Sequence, residues 1–403
     1  MTSKTAPRVT APLGNREFRA LWAAETQSVL GDQLTTVALA IMVFDRTGSA
    51  LWAALVYALT FLPALAGGLG LAQLADRYPR RTILWVTAAM QAVLVGLMAI
   101  PDSPIALLCV LIVFARLAGA PSNAAQNALT REVFTEDEMY LRSQDLRGIT
   151  TNTAMLVGLG GGGLLVSLVG PFYALAADAL TFAVAAVLIR RYVRWRPAAG
   201  GNGDAWFGAL RWVFGQRRLR VLLALSWLVG LAVIPEGLAA PLAHEMGAPS
   251  QAVGWLLAAD PLGFVAGVFL LSRYASAEDR RRLMGILAVC SVAALIGFAL
   301  QPALPFALVI LALAGAAGAY IITVGATFIT WVPNDLRGGA GGLYRTGLRV
   351  AQGVGVALGG VVAHLIGSAS TAVAFAGVTG VVLAIPVALA WTRVRTADPS
   401  VSG

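Results

Sequence analysis

Long apolar runs alternate with short polar segments along almost the entire chain. A helix needs about 20 apolar residues to cross the hydrocarbon core of a bilayer, and runs of that length are separated here by charged residues or by proline and glycine. The pattern predicts an all-α membrane protein with twelve transmembrane helices. The predicted spans are 18–44, 49–74, 82–100, 104–128, 146–169, 172–193, 219–243, 250–272, 282–300, 304–331, 340–366 and 370–391.

The composition supports this interpretation. The 403 residues are 58% hydrophobic and 12% charged, whereas soluble domains carry about 25% charged residues. A net charge of +9 is also typical of nucleic-acid binders, but those proteins gather their basic residues on one soluble face. Here nearly all the basic residues lie in or beside the short gaps between apolar runs, so we expect lipid contact and no nucleic-acid partner.

The distribution of basic residues predicts the orientation in the membrane. Cytoplasmic loops are enriched in Lys and Arg, and 26 of the 29 Lys and Arg fall on the side of the N-terminus, either in the gaps or near the ends of the spans that border them. Arg46 lies on the other side, and Arg116 and Arg349 lie within spans. We therefore expect a plasma or inner membrane protein with both termini cytoplasmic. Residues 1–17 are polar and the following apolar run is too long for a signal peptide, so the first helix should be retained.

The longest polar segment divides the predicted helices into two groups of six. This predicts an N-terminal six-helix bundle at 1–193, a cytoplasmic linker at 194–218 and a C-terminal six-helix bundle at 219–403. An offset of 197 residues superimposes glycines of the fifth span on glycines of the eleventh, which indicates an internal repeat. Two parallel six-helix halves are an architecture of secondary transporters. The matched glycines, which we expect to pack helices closely, are Gly158, Gly162 and Gly163 with Gly355, Gly359 and Gly360, followed by Gly170 with Gly367.

The loop after the second span carries a family resemblance. The segment Leu74–Arg81, LADRYPRR, resembles the cytoplasmic signature of the major facilitator superfamily. The segment Asn15–Trp22 and the following Ser28–Asp32 are similar to the exporter subgroup that includes siderophore and macrolide efflux proteins. Arg116–Gly119 resembles an element of proton-coupled drug antiporters, and Gly158–Gly163 resembles the antiporter motif, with Leu159 in place of its proline. The resemblance implies the twelve-helix fold of that superfamily, with a central cavity formed by one chain.

Two charges near the middle of the bilayer are candidates for proton coupling. Asp32 lies in the first span and Arg116 in the fourth, and by the resemblance both helices line the cavity. A lone charge at the membrane centre costs about 2.5–3.5 kcal/mol on insertion scales, so the two are expected to pair. The pair is either a switch, whose carboxylate takes up a proton when the arginine leaves, or a permanent structural ion pair.

Three further acids lie at membrane depth. Glu25 is two helical turns before Asp32 and is either a proton stepping stone or an interfacial carboxylate. Glu236 follows Pro235, and Asp260 precedes Pro261. Proline removes a backbone donor and favours helix breaks that line cavities. These two acids are therefore either proton or cation sites or groups that cap and stabilise a kink.

By the same resemblance, the loop at 74–81 is a cytoplasmic gate. Asp76 would meet the positive N-terminal end of the eleventh helix. Arg77, Arg80 and Arg81 would pair with an acid near the fourth helix, for which Glu132 is the candidate. The alternative is that these charges only set the topology.

The remaining chemistry is sparse. Two cysteines and two histidines stand apart and predict no metal site, and no Walker P-loop or catalytic triad is present. We therefore expect no cofactor and no enzyme activity. The sequence predicts a transporter, functional as a monomer, that exports amphiphilic small molecules such as drugs or secondary metabolites against protons. Leu159 leaves an importer or facilitator open, and a non-transporting sensor or assembly partner is the alternative of another class.

Overall fold

The computed structural model describes residues 10–61, 77–197, 205–334 and 336–396. Every regular element in these ranges is a helix, and none is a strand. Within the same ranges, 11 helical segments are long and apolar enough to cross a membrane. The predicted second span, 49–74, extends beyond the described residues. The structure confirms the all-α membrane fold, and eleven spans in the described part are consistent with twelve in the chain.

The chain divides into two compact units. The first comprises Met1–Ala38 and Leu69–Asn202. After a short 3-10 helix, Ala11–Gly14, its helices are α1 (Arg16–Thr47, shared with the second unit), α3 (Arg80–Met98), α4 (Ile105–Gly119), α5 (Ser122–Val133), α6 (Asp137–Val169) and α7 (Pro171–Tyr192).

The second unit comprises Leu39–Gly68 and Gly203–Gly403. It therefore holds the end of α1 as well as the C-terminal part of the chain. The domain boundaries at 193 and 218 remain a prediction. The helices of this unit are α2 (Ala50–Ala58), α8 (Ala205–Gly215), α9 (Arg217–Trp227), α10 (Val229–Ala232), α11 (Ile234–Gly237), α12 (Ala239–Glu245), α13 (Gln251–Tyr274), α14 (Ala277–Ala294), α15 (Leu304–Gly318), α16 (Tyr320–Thr330), α17 (Arg337–Ile366) and α18 (Ala369–Thr396).

Local sequence explains where several helices begin and end. Gly170 ends α6 and Gly367 ends α17, with φ of 87° and 77°. Glycine adopts this left-handed conformation without the steric penalty of a side chain. Ser276 caps α14 through its hydroxyl, which accepts from the Asp279 backbone N–H at 3.1 Å, and the Asp279 carboxylate in turn accepts from the Ser276 backbone N–H. Glycine and a capping box thus determine these boundaries.

The predicted glycines of the fifth span lie on the face of α6 that meets α1. A Cβ at Gly158 would lie 2.9 Å from the Leu30 carbonyl oxygen, and one at Gly162 would lie 3.4 Å from Leu34. Gly163 is buried beside them. Small residues let helix backbones approach closely in membranes, so this face allows α6 to pack directly on α1.

The same pattern recurs in the second unit. A Cβ at Gly355 of α17 would lie only 1.9 Å from the carbonyl oxygen of Gly230 in α10. At Gly359 it would lie 2.5 Å from a side-chain carbon of α11, and at Gly360 it would lie 2.5 Å from Ala54 of α2. Gly355 and Gly359 therefore pack against the predicted seventh span, as Gly158 and Gly162 pack against the first, whereas Gly360 packs against α2.

Buried apolar side chains hold each unit together, and exposed ones cover its surface. In the first unit Leu21, Leu84 and Leu129 join α1, α3 and α5 in one core cluster. In the second, Phe328 of α16 and Trp391 of α18 are fully buried in another. Large apolar side chains are also extensively exposed. Leu168, Leu300 and Leu365 are 73%, 86% and 78% exposed, and a surface of this kind is stable in lipid rather than in water.

The helix breaks expected beside two prolines differ from those observed. Pro235 predicts one break in the seventh span, but the span is divided at three residues, Leu228, Val233 and Leu238, into α9 to α12. By contrast, α13 runs through Pro261 without interruption, so the expected break beside Asp260 is wrong. A neighbouring helix supports α13 at this point, because the Cα of Gly315 packs against the Asp260 carbonyl and leaves no room for a side chain.

Candidate functional site

Asp32 and Arg116 form an ion pair in the first unit. Asp32 lies near the middle of α1, about 24 Å from its start at 1.5 Å per residue, and Arg116 lies in the last turn of α4. Arg116 Nη1 donates to Asp32 Oδ1 at 2.7 Å. The two side chains are 26% (Asp32) and 22% (Arg116) exposed. The pair is therefore formed at membrane depth, and it is not sealed inside the packed core.

Asp178 of α7 adds a second carboxylate to this pair. Its side chain is fully buried. Thr35 Oγ1 donates to Asp178 Oδ2 at 2.6 Å, and the Thr181 hydroxyl lies 3.1 Å from Oδ1. Both Asp32 and Arg116 act electrostatically on the Asp178 carboxyl. The first unit thus contains a cluster of two carboxylates and one guanidinium, which we call the Asp32 cluster.

Asp178 was not among the predicted site residues, although the sequence carries a signal for it. It is an acid in the interior of the predicted 172–193 span, and an ionisable residue at that depth is a functional candidate by default. Gly31 was also missed. Its missing side chain makes room for the cluster, because a Cβ there would lie 2.0 Å from Asp178 Oδ1.

Glu25 is held in a separate and more deeply buried ion pair. Arg147 of α6 donates to both of its carboxylate oxygens, from Nε at 2.6 Å and from Nη2 at 2.7 Å. Arg147 Nη1 also donates to Asn127 at 2.8 Å and to Gln144 at 3.0 Å. The Arg147 and Glu25 side chains are only 8% and 17% exposed. With every guanidinium nitrogen bonded, this arrangement fixes α1 against α6.

The residues predicted to form a cytoplasmic gate have different partners in the structure. Asp76 lies outside the described residues, and Arg77 is exposed. Arg80 forms an ion pair with Glu132 of α5, and Arg196 Nε lies 3.7 Å from the same carboxylate. The expectation that Arg81 pairs with this acid is wrong.

Arg81 instead donates to the backbone carbonyl of Arg190 at the end of α7. The last carbonyls of a helix lack intrahelical partners and carry partial negative charge, so they attract an arginine. Arg190 in turn lies over the ring of Trp85, 5.0 Å from its centroid. Arg80 and Arg81 therefore connect α3 to α5 and α7, within the first unit.

The second unit contains its own acids. The Tyr57 hydroxyl of α2 donates to Glu236 Oε2 of α11. Arg349 of α17 acts electrostatically on Glu236 and lies over the Phe61 ring, 5.6 Å from its centroid. Asp260 has no hydrogen bond or ion pair from its side chain to any described residue, but it lies within electrostatic range of Glu236. Glu236 and Asp260 are thus neighbours, and Arg349 is the arginine that acts on Glu236.

No group of His, Cys, Asp and Glu in the described part of the chain is arranged to hold a metal ion. Cys109 and Cys290 are both free thiols. The functional groups that the described helices bring together are carboxylates, arginines and hydroxyl groups.

Comparison with known proteins identifies the family. Residues 8–402 match the family described as transmembrane secretion effector, MFS_3. None of the curated proteins matches the chain. Solved structures match over most of their length at low identity, which shows a shared fold. The nucleoside transporter NupG is 16% identical, with 94% of this chain and 99% of that chain covered and a TM-score of 0.73.

Two other solved structures give the same result. A bacterial homolog of the human lysosomal transporter Spinster is 14% identical, with 93% of this chain and 95% of that chain covered and a TM-score of 0.72. The POT family transporter PepTSo is 11% identical, with 95% of this chain and 99% of that chain covered and a TM-score of 0.76. Because the family match extends over nearly the whole chain, the protein belongs to the transmembrane secretion effector family of major facilitator transporters, and it is a multi-pass membrane transporter.

Proposed function

We propose that the protein exports amphiphilic small molecules across the plasma or inner membrane in exchange for protons, by alternating access. The observation that carries this proposal is the ion pair between Asp32 and Arg116 inside membrane-spanning helices. A buried ion pair stabilises a fold weakly, because the desolvation of both charges offsets their attraction. The Asp32–Arg116 pair has a single hydrogen bond between partly exposed side chains, whereas Glu25 and Arg147 share two and are more deeply buried. Of the two pairs, Asp32–Arg116 is therefore the better candidate for one that separates during transport.

Proton exchange is the task that this pair supports. While Arg116 is in contact, Asp32 is stabilised as a carboxylate. When the arginine moves away, the carboxylate in a medium of low polarity gains a proton more readily. A substrate or a conformational change that displaces Arg116 would thereby couple its own movement to that of a proton.

Two features support export of apolar or amphiphilic compounds. The family is described as a secretion effector. The helices α4 and α7, which carry Arg116 and Asp178, are otherwise mostly apolar. The charge distribution supports cytoplasmic termini. The resemblance implies a cavity formed by one chain, which supports function as a monomer.

Import or facilitated uptake is the second candidate. It is favoured by the similar solved structures, whose names describe transporters of nucleosides and peptides, and by Leu159 in the antiporter-like segment. The direction of transport separates the two candidates.

Fluorescent dye accumulation in intact cells tests the direction. Export predicts that cells expressing the protein retain less of a lipophilic cationic dye than cells without it, and that a protonophore abolishes the difference. Asp32→Asn should behave like the empty cells. Glu138→Gln, which alters an exposed carboxylate, is the matched control and should keep the wild-type difference. Higher retention in expressing cells would favour import, and equal retention across a panel of cationic dyes, macrolides and siderophores would contradict both.

A further inference from the structure

The Asp32 cluster contains one more acid than base. If all three groups were ionised, the cluster would carry a net charge of −1 among apolar helices, and an unbalanced charge is strongly disfavoured in a medium of low polarity. One bound proton makes the cluster neutral. We propose that Asp178 is a proton-binding site and that, at neutral pH, the resting protein holds one proton on its carboxyl group.

The hydrogen bonds favour Asp178 over Asp32 as the proton carrier. Asp32 receives a charged hydrogen bond from Arg116 at 2.7 Å, and that bond stabilises the carboxylate. No cationic nitrogen of a described residue lies within bonding distance of Asp178. The hydrogen-bond partners of its carboxyl group among the described residues are hydroxyl groups, and it is fully buried whereas Asp32 is 26% exposed.

The two hydroxyl groups donate fewer hydrogen bonds than an ionised, buried carboxylate needs. The hydroxyl of Thr181 has one hydrogen, and it lies closer to the backbone carbonyl of Asp178, at 2.8 Å, than to the carboxyl oxygen at 3.1 Å. Thr35 is then the one firm donor, at 2.6 Å. A hydroxyl also accepts hydrogen bonds, so a protonated Asp178 can donate to Thr35 Oγ1 over the same contact.

The surroundings of Thr35 allow this reversal. Thr35 lies in α1, and threonines in helices donate to the carbonyl four residues earlier. The neighbouring Thr36 does so to the Asp32 carbonyl at 2.8 Å. The corresponding acceptor for Thr35 is the carbonyl of Gly31, the residue whose missing side chain admits the Asp178 carboxyl. Thr35 can therefore serve both protonation states without a change in helix packing.

The proton leaves through the same cluster. Arg116 Nε is buried and has no acceptor in the described structure, so the guanidinium can donate a further hydrogen bond to a second carboxylate. When Arg116 turns from Asp32 to Asp178, the Asp178 O–H bond breaks and the proton passes to the Asp32 carboxylate, which is partly exposed. Charge is conserved, and the guanidinium stays paired throughout. This inference deepens the proposed function and rests on it for the use of the proton in transport.

Infrared spectroscopy of the full chain in lipid nanodiscs tests the site without any substrate. A protonated carboxylic acid has a carbonyl stretch that is separate from the bands of a carboxylate. The wild type minus Asp178→Asn difference spectrum at neutral pH should show the loss of one such carbonyl per chain. Asparagine has the shape of the neutral acid and keeps the bond from Thr35, so the variant should fold.

A matched substitution and a second variant make the result decisive. Asp137→Asn removes an acid whose side chain is 84% exposed and should leave the acid carbonyl region unchanged. Thr35→Val removes the hydroxyl bonded to Asp178 and should shift the frequency of the same carbonyl, which tests the site even if Asp178→Asn does not fold. An acid band that is insensitive to both Asp178→Asn and Thr35→Val would overturn the inference.

The outcome is independent of the transport assay. Loss of the carbonyl in Asp178→Asn, with no transport of any compound by the wild type, would retain the proton site and refute the proposed function. Proton-coupled transport by the wild type that persists unchanged in Asp178→Asn, with no change in the acid band, would retain the function and refute the site.

Discussion

Glu25→Gln should destabilise the first unit far more than a typical carboxylate substitution. The change leaves the Arg147 guanidinium, 8% exposed, without a counter-charge, although the amide oxygen still accepts one hydrogen bond. Removing one partner of a buried ion pair costs about 3–5 kcal/mol. We take the lower value, about 3 kcal/mol, because one hydrogen bond remains.

Thermal unfolding in detergent measures this loss. For a unit of this size, 1 kcal/mol corresponds to a shift of about 2–4 °C, so Glu25→Gln should lower the midpoint by roughly 6–12 °C. Glu138→Gln is the matched control, since Glu138 is 69% exposed and pairs with Arg142 four residues later in the same helix. Such a pair contributes about 0.3–0.5 kcal/mol, and the control midpoint should change by about 2 °C or less.

A double substitution distinguishes the cause. In Glu25→Gln with Arg147→Met, no charge remains buried, and the midpoint should recover by at least half of the loss, because apolar replacements of buried pairs are well tolerated. If Glu25→Gln melts within about 1 °C of the wild type, the pair does not fix α1 to α6. Proton stepping would then become the better explanation for Glu25.

Three further substitutions test close contacts. Gly31→Ala places a carbon 2.0 Å from a carboxylate oxygen of α7, should cost about 1–3 kcal/mol, and should lower the unfolding midpoint; an unchanged midpoint would contradict the packing. Tyr57→Phe removes the hydroxyl bonded to Glu236 and should cost about 1.5–3 kcal/mol, measured by the same melt. Gly355→Ala places a carbon 1.9 Å from a backbone carbonyl oxygen of α10, so the variant should lose the monodisperse peak in gel filtration. Gly161→Ala is the control and should keep the peak, because its new carbon meets nothing within 4 Å.

Hydrophobic pattern was sufficient to predict most of the fold, because length and apolarity decide which segments cross a bilayer. The predicted spans 82–100 and 172–193 correspond to Arg80–Met98 and Pro171–Tyr192. The interruptions were less predictable. Proline marks one break in the seventh span, but the others lie where Gly230 and Gly237 press against α17, and that contact depends on tertiary packing.

The site was predictable to the extent that its residues break the apolar pattern. Asp32 and Arg116 stand out as charges inside spans, and so does Asp178 once each intramembrane acid is given equal weight. The contact of Arg81 with the Arg190 carbonyl was not predictable, because a backbone acceptor at a helix end carries no residue-type signal. Gly31 was missed for a similar reason, since the need for a glycine there appears only when α7 is placed beside α1.

Substrate-driven proton release tests the central claim, that Asp32 and Arg116 couple export to protons, most directly. Inside-out vesicles with an acidified interior are exposed to lipophilic cations, macrolides and siderophores while the internal pH is followed. The account predicts that at least one compound releases protons from wild-type vesicles, and that Asp32→Asn, inserted at the same level, releases none. Release that persists undiminished in Asp32→Asn, or no release by any compound from wild-type vesicles, would contradict it.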